Sequence, residues 1–175
     1  VYPVVESQTI ELEPILEKTR NLFIKAVHKR LMSDRPIGCL LSGGLDSSLV
    51  SALVAKQFKE AQKGVLHTFS VGLPGSPDLD YGQLVADKIG SVHHRVELPV
   101  EVWLEAIPEV IYHIESYDTT TVRASIGNYL VAKYIAEHSE AKVILNGDGS
   151  DELFGGYLYM QMCPDSFEFE RETRR

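Results

Sequence analysis

"GCLLSGGLDSSLV", residues 38–50, reads as the end of a buried strand, a glycine turn and the start of a helix. Gly43 and Gly44 let the backbone turn tightly and approach a ligand with no Cβ in the way. The first turn of the following helix offers unpaired N–H groups and the positive end of a dipole. Ser42, Ser47 and Ser48 add hydroxyl donors, and together these groups make an anion nest. No G-x-x-x-x-G-K-[ST] run occurs, so this is not a Walker loop. An aspartate, Asp46, stands inside the turn, where it would repel bare phosphate. A carboxylate there makes sense beside a metal–phosphate complex, because the ion inverts the local charge logic.

Working outward, strands alternate with helices. Residues 11–32 carry apolar side chains at helical spacing, and Pro36 then stops the helix before the apolar run Ile37 to Leu41. Residues 45–60, 100–115 and 122–138 also read as helices. Residues 65–73, 91–99 and 141–147 read as strands. Asp78 is expected to cap a helix running to Ile89. This alternation predicts an α/β fold with a mainly parallel twisted sheet and helices on both faces. Ligands in such folds bind beyond the carboxyl ends of the strands. Two polar turns fall there, "SGGLDSS" and "NGDGSDE", roughly 100 residues apart in the chain but able to meet in space.

Composition narrows the partners. The 175 residues suit one compact domain. A net charge of −8 argues against nucleic acid and acidic membrane surfaces as broad partners. No apolar run is long enough to suggest a membrane span, and the acidic N-terminus lacks a secretory pattern. The two cysteines, Cys39 and Cys163, show no disulfide or metal spacing, which points to a reducing, cytoplasmic setting. Val1 at the start and the charged "FEFERETRR" at the end read as cut points, so a longer parent chain is expected.

The second polar cluster is "VILNGDGSDELFGGYLY", residues 143–159, with Asp148, Asp151 and Glu152 close together after an apolar strand. Such oxygen donors suit Mg²⁺, which commonly bridges protein acids and nucleotide phosphates. "SGGLDSS" resembles the pyrophosphate loop, SGG-x-DSS, of the PP-loop ATP pyrophosphatases, which have the adenine nucleotide alpha hydrolase-like fold and cleave ATP between its α- and β-phosphates. "LLSGGLDSS", "FSVGLPGSPDL", "YDTTTVRAS" and "GDGSDELFGGY" narrow the likeness. In order and spacing they resemble the synthetase domain of glutamine-dependent asparagine synthetases, from about residue 10 to about residue 165. The resemblance implies a single truncated ATP-binding domain over residues 1–175. It also implies ATP-dependent amidation of aspartate through β-aspartyl-AMP, with AMP and pyrophosphate released.

Residue by residue, the resemblance implies that Leu41 and Val71 contact adenine or ribose through backbone groups. Ser42, Gly43, Gly44, Ser47 and Ser48 hold pyrophosphate, and Asp46 and Asp151 bind Mg²⁺. Asn146 and Gly147 touch the nucleotide where the family has Ser-Gly, and Thr120, Thr121 and Arg123 face the aspartate side. Asp148 stands where the family usually has a glutamate used in forming and consuming the intermediate. It is one methylene short, and a misplacement of ~1 Å can cost about 100-fold in rate.

The family's cysteine-led glutaminase domain and its later lysine have no counterpart here. Glutamine hydrolysis is therefore not expected, and ammonia would come free or from a glutaminase domain or chain. A β-lactam synthetase acting on another carboxylate, or a truncated module that only binds nucleotide, are the competing expectations. "VGLPGSPD" and "YDTTTVRAS" favour the asparagine synthetase reading over the first.

Other residues read as structural. Cys39 lies in an apolar run and suits a core. His93 and His94 are adjacent on a strand, point to opposite faces and cannot readily share an ion. Trp103 reads as helix packing, and Glu168, Glu170 and Glu172 as solvated charges. Tyr157 and Tyr159 fit either a site wall or a core.

Overall fold

The computed structural model describes residues 11–174. They fall into two compact units, within Val1–Met32 and Ser33–Arg175. The first contains α1 (Leu12–Arg30), whose last turn carries His28, Lys29 and Arg30 against the negative end of the helix dipole.

The second unit runs β1 (Ile37–Leu40), α2 (Leu45–Glu60), β2 (His67–Gly72), α3 (Pro77–Ile89), β3 (Val92–Glu97), α4 (Val100–Glu105), α5 (Ile107–Ile114), α6 (Thr119–His138), β4 (Val143–Leu145), α7 (Ser150–Phe154) and α8 (Ser166–Thr173). The four strands form one parallel sheet in the order β3-β2-β1-β4. The expected α/β architecture is therefore present. From β1 the chain winds outward through β2 to β3, then returns to add β4 on the other side of β1. A reversal of this kind opens a crevice between neighbouring strands at their carboxyl ends.

Side-chain alternation along the strands assigns the helices to faces. Phe69 of β2 is fully buried with Val131 and Ile135 of α6 and with Ala141. Thr68 and Ser70 point the other way, towards α3, where both hydroxyls bond His93 at 2.9 and 3.0 Å. His94 instead stacks on Phe69, with ring centroids 4.6 Å apart. The adjacent histidines thus face opposite sides of the sheet, as the strand period requires. Cys39 is fully buried, and burial pushes its thiol up to about 12, partly offset by the Ser51 hydroxyl. Trp103 packs its ring towards Gly127 of α6 and donates its indole N–H to the Leu98 carbonyl at 3.2 Å.

Two local expectations are corrected. The helix over 100–115 is broken at Ala106 into α4 and α5. Pro108 has no N–H to donate to the carbonyl one turn back, so a continuous ladder fails there. Asp78 does not cap α3: Ser76 is the N-cap residue and Pro77 occupies the first turn, where its fixed φ is already helical. Asp78 then contributes as an anion in that first turn.

Burial lowers the pKa of His93 from its ordinary value, with His94 and Arg95 adding to the effect and Asp87 opposing it. Below about pH 6.5 the unfolded chain takes up a proton that folded His93 resists. Stability is therefore expected to be full above that pH and to decline as pH falls through 6.5 towards the lowered value. Urea midpoints at pH 7.5 and 5.5 should show this decline, and His93→Gln should reduce it to the part that His94, also lowered by burial, contributes. An equally steep decline in His93→Gln would remove His93 as its source.

Candidate active site

The first loop leaves β1 at Leu41, whose side chain is fully buried and whose N–H donates to the Phe69 carbonyl at 2.8 Å. Gly43 then takes a left-handed φ of +86°, and a Cβ there would lie 2.5 Å from the Tyr81 backbone and 2.6 Å from the Gly82 nitrogen. Glycine is demanded twice over, by conformation and by the approach of α3. Gly44 is the N-cap residue of α2 and gives it no side-chain cap. The helix closes its first bond from the Ser48 N–H to the Gly44 carbonyl at 3.0 Å. The N–H groups before it thus lack intrahelical partners. The Ser42 and Ser47 hydroxyls lie 3.1 Å apart, and Ser47 also donates to the Gly44 carbonyl at 3.2 Å.

The second loop follows β4. Gly147 passes so close to the start of α2 that a Cβ on it would sit 2.8 Å from the Ser47 nitrogen and 2.9 Å from the Asp46 Cβ. The two turns therefore meet, at the reversal between β1 and β4. Asn146 Nδ2 donates to Asp148 Oδ2 at 2.6 Å, which ties that carboxylate to its own loop. Gly149 has φ +91° and leads into α7, which carries Asp151 and Glu152 in its first turn. Gly156 packs against the Asp151 carboxylate and donates its N–H to the Asp151 carbonyl at 3.0 Å.

Between the loops lies a cleft of about 390 Å³. Ser42, Gly44, Asp46 and Ser47 line it from one side, and Asn146, Gly147, Asp148 and Asp151 from the other. Leu40 and Asn128, which the sequence does not mark, line it too, as do Glu152 of the acidic cluster and Tyr157. Asn128 comes from mid-α6, where nothing local marks it; Tyr157 was one of two open readings. The Tyr157 hydroxyl donates to the Glu152 carboxylate. That bond lowers the Glu152 pKa and pushes Tyr157 up to about 12. Tyr159 stacks on Tyr157, with centroids 5.6 Å apart.

Other expected residues lie elsewhere. The Ser48 hydroxyl is buried with no hydrogen-bond partner and lines no part of the cleft. Val71 packs against the Phe69 core. Thr120 and Arg123 are exposed on the first turns of α6, away from the cleft wall. The Thr121 N–H and hydroxyl both donate to Asp118 at 2.8 Å, capping α6 and lowering the Asp118 pKa. That hydroxyl is engaged in the cap.

The donor chemistry fits Mg²⁺. Asp46 and Asp151 are hard oxygen donors on opposite walls of one cleft. Among the described residues no three histidine, cysteine, aspartate or glutamate side chains form a metal-binding group. That is compatible with an ion held by one or two carboxylates and completed by phosphate oxygens and water.

Among the described residues no helix is long and apolar enough to cross a membrane. Two solved structures share the fold: the NH3-dependent NAD synthetase of Campylobacter jejuni and the NMN synthetase of Francisella tularensis. The first aligns with a TM-score of 0.50 at 19% identity, over 85% of this chain and 61% of that one. The second aligns with a TM-score of 0.53 at 13% identity, over 81% and 58%. In sequence the chain is 51% identical over 178 residues to the glutamine-hydrolyzing asparagine synthetase of Cricetulus griseus, covering 100% of this chain and 32% of that protein. It is 51% identical over 166 residues to the enzyme of the same name from Homo sapiens, covering 94% and 30%. The chain thus spans about a third of the length of the curated relatives it matches. The family model described as asparagine synthase matches residues 18–172, and the chain belongs to that family.

Proposed function

We propose that this chain is the ATP-binding part of an asparagine synthetase, a ligase that amidates aspartate at the expense of ATP. The observation that carries this reading is the meeting of the two loops, with Gly147 against the N-terminus of α2 and acids from both loops around one cleft. In the proposed reaction an aspartate carboxylate oxygen attacks the α-phosphorus and pyrophosphate leaves. Ammonia then attacks the acyl carbon of β-aspartyl-AMP and AMP departs. Such transfers depend mainly on positioning and on neutralising charge.

The chain's own groups supply those functions. The α2 N-terminus and the Ser42 and Ser47 hydroxyls would hold the pyrophosphate oxygens, with Gly43 making the turn and Gly44 keeping the approach open. Asp46 and Asp151 would hold Mg²⁺, which when bound neutralises phosphate charge. Asn146 and Gly147 would border the nucleotide. Asp148, which lines the cleft, would accept a proton from the incoming amine. Leu41 and Val71 as nucleotide contacts, Ser48 as a pyrophosphate ligand, and Thr120, Thr121 and Arg123 as aspartate-side contacts remain part of the proposal from family likeness. Their positions outside the cleft wall mean that each needs movement or a further part of the protein. The single ATP-binding domain and the cytoplasmic setting are likewise proposed. Ammonia would be supplied by a glutaminase part, in keeping with the glutamine-hydrolyzing relatives.

Pyrophosphate release tests the reading. Aspartate-dependent release with ammonia present supports it. Release with a different carboxylate would point to a β-lactam synthetase-like relative. ATP binding without release would mark a binding module.

Asp148→Glu extends the carboxylate by about 1.5 Å beyond its tie to Asn146, and should raise a measurable synthetase rate by up to about 100-fold. An unchanged or lower rate in a steady-state assay would count against the role given to Asp148.

A further inference from the structure

We propose that Asn146 is a positioning residue for Asp148: its side-chain amide clasps one oxygen of the Asp148 carboxylate at the cleft wall and leaves the other open. The role rests on the amidation reading of the cleft, in which Asp148 takes a proton from the incoming amine. Asn146 Nδ2 donates to Asp148 Oδ2 at 2.6 Å. The Asp148 N–H reaches back to Asn146 Oδ1 at 3.4 Å. A carboxylate oxygen only accepts and a peptide N–H only donates, so one orientation of the amide serves both. The first bond lies at the short, charge-assisted end of N–H···O geometry, and the second is a weaker contact. Among the described residues nothing else hydrogen-bonds the Asp148 carboxylate, so Oδ1 stays open.

The backbone makes Asn146 a good anchor. Leu145 before it pairs with Cys39 of β1. Gly147 after it presses on the first turn of α2, where a Cβ would meet the Ser47 nitrogen at 2.8 Å. Asn146 is thus fixed from both sides. Asp148 instead begins the turn that Gly149 completes at φ +91°. An exposed carboxylate in that place has several staggered rotamers open to it unless something ties it. The clasp links the fixed residue to the exposed one, and both line the same cleft. A short side chain reaches a substrate from few of its rotamers, and a misplacement of ~1 Å can cost about 100-fold in rate. Asn146 therefore acts through Asp148, and not only as a border of the nucleotide.

Two measurements on the chain test this. The first is proton–nitrogen NMR of the side-chain amides, which needs neither ATP nor turnover. The Asn146 amide should stand apart in shift from the free amides, and Asp148→Ala should return it to their range. The Gln83 amide, which donates to Asp87 at 2.7 Å on α3, should not move. The second is pyrophosphate release with Mg²⁺, ATP, aspartate and ammonia. Asn146→Ala should lower kcat by roughly 10–100-fold and leave the ATP KM within about twofold, whereas loss of a direct nucleotide contact would raise KM. In the Asp148→Glu background, where the carboxylate extends beyond the tie, the same change should alter kcat by about twofold or less, as for independent sites. Circular dichroism of each variant checks that the fold survives. An Asn146 amide unmoved by Asp148→Ala, an equal loss of kcat in both backgrounds, or a rise in ATP KM alone would overturn the proposal. Should no variant release pyrophosphate, the amidation reading fails, and the amide resonances alone decide whether Asn146 holds Asp148.

Discussion

Gly43→Ala should destabilise the chain by about 2–5 kcal/mol, with a matching fall in the urea midpoint. Two costs combine. A left-handed φ of +86° burdens any residue with a Cβ, by roughly 1–2 kcal/mol. The new methyl would also lie 2.5 Å from the Tyr81 backbone, and overpacking of this kind costs about 1–3 kcal/mol. Tyr81 and Gly82 belong to α3, so relief would require moving a packed helix. Gly44→Ala is the control. Its φ is −66° and the nearest atom to its would-be Cβ is the Ser42 Oγ at 3.5 Å. That change should cost about 1 kcal/mol or less, as for alanine at an N-cap. Equal losses in the two variants would refute the account of the first loop.

Asp46→Ala should weaken magnesium-dependent ATP binding by about 100-fold or more. Loss of an outer partner of a metal ligand typically costs about 10–100-fold, and a direct ligand should cost at least as much. Asp46 lies in the first turn of α2, where the positive dipole end favours its negative charge. Removing it should cost the fold only that interaction, about 0.3–1 kcal/mol, while emptying one wall of the cleft of its acid. Calorimetry with ATP at saturating and at zero Mg²⁺ separates the effects. The metal role predicts a large loss with the ion present and a small change without it. Unchanged affinity at saturating Mg²⁺ would remove Asp46 from the metal site.

Much of the frame was legible because local signals agreed with tertiary demand. Residues 45–60 were read as a helix, and α2 runs Leu45–Glu60. The apolar run from Ile37 was read as a strand, and β1 begins there. An apolar spacing continues across Pro108 and reads as one helix over 100–115, but the missing N–H at Pro108 divides it into α4 and α5. The cap of α3 was displaced from Asp78 because Pro77 starts the helix earlier. In the cleft, residues within the two loops could be named from the sequence because glycine, serine and acid stand together there. Asn128 could not, because a lone amide in mid-helix carries no local mark.

The sequence by itself determined that two phosphate- and metal-suited loops each follow a strand, and that four motifs stand in the family's order. Glycine, hydroxyl and carboxylate chemistry is written in residue type and needs no distant partner to be recognised. Only the tertiary structure decided which groups share a space. The return of β4 to the side of β1 brings Gly147 against Ser47 and Asp46. The fold also buries the Ser48 hydroxyl and brings Asn128 of α6 to the cleft wall. Those outcomes depend on strand order and close approach between segments far apart in the chain, which local spacing does not encode.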